Sequence, residues 1–350
     1  MRIIMKNVLL LFMMLVCVSW LAGGCANISS VSAEPVKNEG QEYHFRLNHG
    51  GSEATLVHQT MEVFAEQVYE LSNGQITIEI YPNAQLGPES TTIEAVQTGD
   101  IEMTIVNSGA LVPFVREWGV LSAPFVFPDT ETAYKVLDGS FGDEMVDYLN
   151  NQGFVGLGFC ESVAFRQTTS SKPIRTADDL KGLRIRVMDN PVQLRIWQAL
   201  GAAPTPIPFS ELYTALQQGT VDAMENPLEL ITAMRFYEVQ DSITLTNHVF
   251  QTSQLIISKR VYNNLPIDLQ DVVQEAGKRA VQWQRERYAE LDQKMLDILK
   301  ENGTEVIELP ESEIEILRER SKPAMDFIRD QFGSDMVDRL LKAVEDAQDK

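Results

Sequence analysis

Two stretches, Leu183-Arg184-Ile185-Arg186-Val187-Met188-Asp189-Asn190-Pro191 and Val221-Asp222-Ala223-Met224-Glu225-Asn226-Pro227, share one plan. In each, a short apolar segment of strand character runs into Asn-Pro, and helical spacing follows at 193–200 and 228–237. Asn is a favoured N-cap, and Pro suits the first helical position because its missing N–H would have no partner there. The pattern predicts two helix N-termini at the carboxyl ends of two strands. In open parallel sheets that edge holds the ligand crevice, and helix N-termini favour anions. Arg186 falls near this edge, and its planar fork can hold a carboxylate with two parallel hydrogen bonds. Asp189 and Asp222 are its alternative partners. Asn226 reads first as a cap, a role that can coexist with ligand contact.

Outward from these junctions, strand and helix signals alternate. Residues 43–48, 75–81 and 101–106 read as strands, with helical spacing at 55–71 and 91–97 between them. That β-α-β-α-β rhythm predicts a parallel α/β sheet. A second set begins near Phe165, with strands at 165–169, 183–188 and 221–224 and helices at 193–200 and 211–218. Residues 242–258 lack Pro and Gly and could cross between lobes as one strand. Residues 267–302 keep helical spacing throughout and, at about 1.5 Å per residue, would extend roughly 54 Å. A helix of that length would pack on both lobes. The tail, 311–347, is amphipathic and breaks at Gly333-Ser334. The division read from this pattern is 1–25 leader, 26–41 tether, 42–163 with about 252–290 as lobe I, and 164–251 with about 291–350 as lobe II. A cleft between such lobes is a natural small-molecule site.

The start of the chain reads as a secretory leader. Arg2 and Lys6 precede an apolar run at 8–20, and small residues lead to Cys25. The run is shorter than the ~20 residues of a spanning helix. Cleavage before Cys25, with lipid on its thiol, is favoured by those small residues, although Ala22 stands where Leu is usual. Cleavage after Val31-Ser32-Ala33 would instead release a soluble product. Cys160, the third cysteine after Cys17 and Cys25, would then have no intrachain partner and reads as a small buried apolar residue.

The 350 residues include 29 Lys and Arg against 50 Asp and Glu, a formal charge of −21. Such a surface is unsuited to nucleic acid. Cofactor and catalytic signatures are missing from the sequence. The four histidines show no metal spacing, no P-loop or nucleophile elbow occurs, and Gly156-Leu157-Gly158 lacks the third glycine of a dinucleotide loop. An exported hydrolase or lyase would need an acid/base pair or nucleophile that the spacing does not offer. No enzyme, no cofactor and no metal is therefore expected.

Gln85-Leu86-Gly87, Phe165-Arg166-Gln167-Thr168-Thr169-Ser170, Asp179 through Val187, Phe209-Ser210-Glu211-Leu212-Tyr213 and Glu225-Asn226-Pro227 together resemble the solute-binding proteins of tripartite ATP-independent periplasmic (TRAP) transporters. The similarity runs over about residues 43–345. It implies an α/β, two-lobed periplasmic-binding-protein (Venus-flytrap) fold with a long helix spanning both lobes. It also implies hinge closure on a small organic acid, then docking on membrane permease subunits. The same resemblance makes Arg186 the carboxylate clamp, with Arg166 in support, Asn226 completing the carboxylate site and Phe209 lining the pocket. Asn48 and Glu89 would reach ligand hydroxyls from the first lobe, with Asn107, Asp189 and His49 as further candidates. Glu89 could equally be a helix N-terminal charge. Asn107-Ser108 stands where sialic-acid binders carry Glu-Ser. No second cation faces Arg186 in the sequence, as a C4-dicarboxylate would want. The polar set instead favours a sugar acid such as a hexuronate, because carboxylates can only accept from ligand O–H groups.

Overall fold

The computed structural model describes residues 40–288 and 291–349. Cys25, the leader and the tether lie outside them, save Gly40 and Gln41. Among the described residues, eleven strands form two sheets. They are β1 (Tyr43–Asn48), β2 (Ile76–Tyr81), β3 (Met103–Asn107), β4 (Phe154–Phe165), β5 (Gln167–Ser170), β6 (Arg184–Val187), β7 (Ala203–Pro206), β8 (Ala223–Asn226), β9 (Ser242–Leu245), β10 (Phe250–Ser258) and β11 (Glu305–Glu308). The first sheet has the order β2-β1-β3-β10-β4 and the second β11-β9-β5-β8-β6-β7. β1, β2 and β3 are parallel, as the alternating pattern requires, and β10 enters antiparallel between β3 and β4. In the second sheet β6 is parallel to β7 and β8, and β5 is antiparallel to β8 and β9.

Each sheet buries apolar side chains against helices. Helix Leu56–Leu71 lays Met61, Phe64 and Val68 on the first sheet's core, which also holds Leu47, Ile105, Leu255 and the buried Cys160, while Leu56 packs with Ala164 and Tyr288. Leu212, Met224, Ile231 and Ile243 form a core of the second.

Two long elements expected from the sequence are each two elements. Residues 242–258 give β9 in the second sheet and β10 in the first, with a crossing at 246–249. The backbone of Asn247 adopts φ 44° there, a conformation incompatible with one extended strand. The helical stretch from 267 gives Ile267–Tyr288, which packs on helix Leu56–Leu71 and β4, and Asp292–Glu301, which packs on β11 and helix Leu228–Ala233. Leu291 lies in a turn between them. The two parts still serve the two sheets. Helices Glu311–Phe332 and Ser334–Gln348 meet at Gly333 (φ 94°), and the last of them packs on helix Thr130–Leu137.

The chain crosses between sheets by β4 into β5, through Arg166, and again at 246–249. The two crossings touch. The Arg166 N–H donates to Val249 O at 2.9 Å, and Thr246 Oγ1 donates to Arg166 O at 3.4 Å.

Candidate functional site

The two Asn-Pro junctions differ in the folded chain. Asn190 is an N-cap: its Oδ1 accepts from the N–H groups of Val192 at 2.9 Å and Gln193 at 3.4 Å, with Pro191 first in the helix. Asn226 is not a cap. The second helix starts one residue later, at Leu228, and Pro227 occupies the cap position with extended backbone. Asn226 therefore stays in β8, and its side chain is free to turn toward the cleft.

A cavity lies between the two sheets, lined from one side by His49, Glu89 and Asn107 and from the other by Arg186, Phe209 and Asn226. Arg186, on β6, is 1% exposed. Its Nε donates to Ile207 O at 2.7 Å, while Nη1 is buried with no acceptor among the described residues. Burial, then the nearby Arg166 charge, pull its pKa down to about 10, which still leaves it cationic at neutral pH. Neither Asp189 nor Asp222 pairs with it. Asp189 is exposed and lies outside the cavity lining, and Asp222 takes Arg184 instead.

Arg166 sits behind Asn226 rather than in the cavity lining. Its Nε and Nη2 both bind the Glu225 carboxylate, the latter at 2.8 Å, and Nη2 also donates to Asn226 Oδ1 at 3.0 Å. His248 Nε2 lies 3.2 Å from the same carboxylate. Burial pushes Glu225 upward, but Arg166 and His248 outweigh it and hold the carboxyl down at about 2. Arg166 thus fixes Asn226, and Asn226 reaches the cavity.

On the opposite wall, Glu89 Oε1 accepts the Asn107 N–H at 3.2 Å, and burial raises its pKa against the opposing pull of Asn107, Arg186 and Arg166. Asn107 Oδ1 accepts from Gly109 N–H at 2.8 Å. His49 is 1% exposed, and its Nε2 lies 3.0 Å from His58 Nδ1. Its Nδ1 is buried without a partner among the described residues. Burial, with His58 adding, drops its pKa to about 4, so the ring is neutral. Asn48 lies outside the lining. Its amide is engaged by Leu86 N–H, Gly87 O and Thr92 Oγ1, tying β1 to the loop ahead of helix Glu89–Thr98.

Gln251 and Ser253 of β10 also line the cavity and were not singled out from the sequence. Gln251 Oε1 is buried with no partner among the described residues. The signal was a polar run, Gln251-Thr252-Ser253-Gln254, inside an otherwise apolar strand whose residues are all buried. Phe209 heads helix Phe209–Gln217 and packs edge-on against Phe236. The cavity thus presents one unmatched guanidinium nitrogen, an imidazole nitrogen, an amide oxygen and a carboxyl. Among the described residues that line it, Arg186 is the one cation.

Similarity to known proteins agrees with this arrangement. Residues 47–331 match the family described as bacterial extracellular solute-binding protein, family 7. The 2,3-diketo-L-gulonate-binding periplasmic protein YiaO of Escherichia coli (strain K12) is 32% identical over 87% of this chain and 92% of its own. The sugar acid binding protein DctPAm of Advenella mimigardefordensis, solved with galactonate, superposes with a TM-score of 0.85 at 34% identity, covering 88% of this chain and 99% of that one. A TRAP periplasmic solute-binding protein of Polaromonas sp. JS666, solved with D-erythronate, gives 0.83 at 32% identity, covering 86% and 98%. With a matched span from β1 to helix Glu311–Phe332 and a two-sheet cleft in common, the chain belongs to the family 7 bacterial extracellular solute-binding proteins, the solute receptors of TRAP transporters.

Proposed function

We propose that the chain captures a sugar acid, a polyhydroxylated monocarboxylate of the hexuronate or aldonate kind, and hands it to its permease without doing chemistry on it. One observation carries the reading: the cavity holds a single cation with an unmatched nitrogen, faced by groups suited to hydroxyls. A carboxylate on Arg186 would accept its free N–H, with Asn226 beside it. Glu89, Gln251 Oε1 and His49 would then read the O–H groups beyond. A second carboxylate would meet Glu89 and no cation. The 2,3-diketo-L-gulonate, galactonate and D-erythronate of the similar proteins support this, since all are hydroxylated monocarboxylates. Calorimetry against D-galacturonate, D-galactonate, succinate and sialate tests it. Heat with the two sugar acids is expected, and heat with succinate alone would overturn the reading.

The same reading keeps the protein at the outer face of the cytoplasmic membrane, held by lipid on Cys25. Mass spectrometry of the exported protein should find a diacylglycerol-modified Cys25 at its N-terminus. An unmodified chain beginning at Glu34 would refute the anchor.

A further inference from the structure

Glu229 has no place in the cavity, yet it is only 3% exposed. It rides on helix Leu228–Ala233, which belongs to the second sheet's core. Its Oε1 accepts the N–H of Leu56 at 2.7 Å. Leu56 opens helix Leu56–Leu71, which packs on the first sheet. The bond therefore joins the two lobes.

The receiving end is a helix start that needs an acceptor. The first N–H groups of a helix have no intrahelical acceptor. Thr55 Oγ1 serves His58 N–H at 3.3 Å, and the first turn carries no acidic residue of its own. The acceptor for Leu56 comes from the other lobe, while the Leu56 side chain packs with Ala164 at the end of β4 and with Tyr288. A second crossing bond lies close by, Ser52 N–H to Met234 Sδ at 3.3 Å. Val57 and Leu230, the next residues along from the bonded pair, both line the cavity.

Packing does not account for this carboxyl. Its Oε2 is buried with no partner among the described residues, and an unmatched buried oxygen costs free energy. An apolar side chain would fill the space more cheaply. We propose that Glu229 is the positioning residue that latches the closed cleft, capping a helix of one lobe from the other and slowing escape of the ligand. This rests on the reading that the lobes close over a solute. The unmatched Oε2 keeps the latch weak, so opening is not blocked and bound ligand tips the balance.

Amide exchange at Leu56 tests the latch without any ligand. The Glu229→Ala protein should exchange that amide at least about tenfold faster than wild type, while β10 amides keep their protection. Glu229→Gln, which retains an oxygen acceptor, should restore most of it. Equal Leu56 protection in wild type and Glu229→Ala would overturn the proposal. Stopped-flow measurements with D-galacturonate and D-galactonate form the second arm. Glu229→Ala should speed dissociation about tenfold with association within about twofold of wild type. Faster Leu56 exchange with unchanged dissociation would also overturn it, since Glu229 would then be a static cap. If neither sugar acid binds the wild-type protein, the sugar-acid reading fails, and the dissociation arm is run with succinate or sialate, whichever gives heat in the calorimetry.

Discussion

Arg166 and Arg186 are equally buried, at 1% exposure each, and lie close enough for the Arg166 charge to help pull the Arg186 pKa down. The difference is what surrounds them. Arg166 lies where the chain crosses between sheets, and Glu225, Asn226 and His248 converge around it. Arg186 lies on β6, with β8 between that strand and β5, and binds a single backbone carbonyl. A buried guanidinium costs desolvation free energy wherever it sits. In the crossing the Glu225 carboxylate offsets much of that cost inside the protein, although Arg166 Nη1, like Arg186 Nη1, has no partner among the described residues. In the cavity it is left for a ligand to offset. On the proposed function, the first arginine serves the fold and the second the ligand.

Five substitutions can break or sharpen that contrast. Arg166→Ala strands the Glu225 carboxylate in the interior, and removing one member of a buried pair costs about 3–5 kcal/mol. Chemical denaturation should show a loss of that size, with binding lost alongside. Arg186→Ala should do the reverse. The charge-assisted contact between the guanidinium and the ligand carboxylate vanishes, so affinity for a sugar acid should fall about a hundredfold. The melting temperature of the unliganded protein should hold or rise. A drop matching that of Arg166→Ala would erase the distinction.

The pH response of the crossing follows from Glu225. Its folded pKa, about 2, lies below the ordinary 4.5, so the pair's contribution is present above 4.5 and is lost as pH falls through about 2. Glu225→Gln should be less stable than wild type at neutral pH, and the two denaturation curves should converge as the buffer is acidified. Glu229, four residues on, has the opposite sign. Burial lifts it to about 7, so what it contributes is intact below 4.5 and is lost as pH rises through 7. Glu229→Gln should therefore melt higher than wild type at pH 8 and nearly level with it at pH 4.5. Gln251→Ala carries the smallest effect, about tenfold in affinity for hydroxylated acids and little for stability.

Much of this was legible in the sequence, and the misreadings have physical causes. The strand of Arg186 follows from the residues themselves, whereas its role as the carboxylate clamp is what the family resemblance implies, since spacing alone leaves an ion pair with Asp189 or Asp222 open. The partner of Arg166 does not follow, since Glu225 is 59 positions away and only the antiparallel pairing of β5 with β8 brings them together. Asn226 was misread as a cap because Asn-Pro is compatible with two helix starts one residue apart, and the pull of Arg166 on its Oδ1 accompanies the later one. Residues 242–258 hid their crossing because Thr, Val and Phe suit both strands and the turn between them. Gln251 escaped notice because a buried polar residue on a central strand looks, from sequence alone, like any other strand position.

The nitrogen of Arg186 that finds no acceptor has a practical side at the bench. A dry cation facing a cleft takes whatever small anion the solution supplies. Acetate, citrate and phosphate are then competitors rather than inert buffers. Titrations run in them would report displacement instead of capture, and crystals grown from them would carry the buffer where the nutrient belongs.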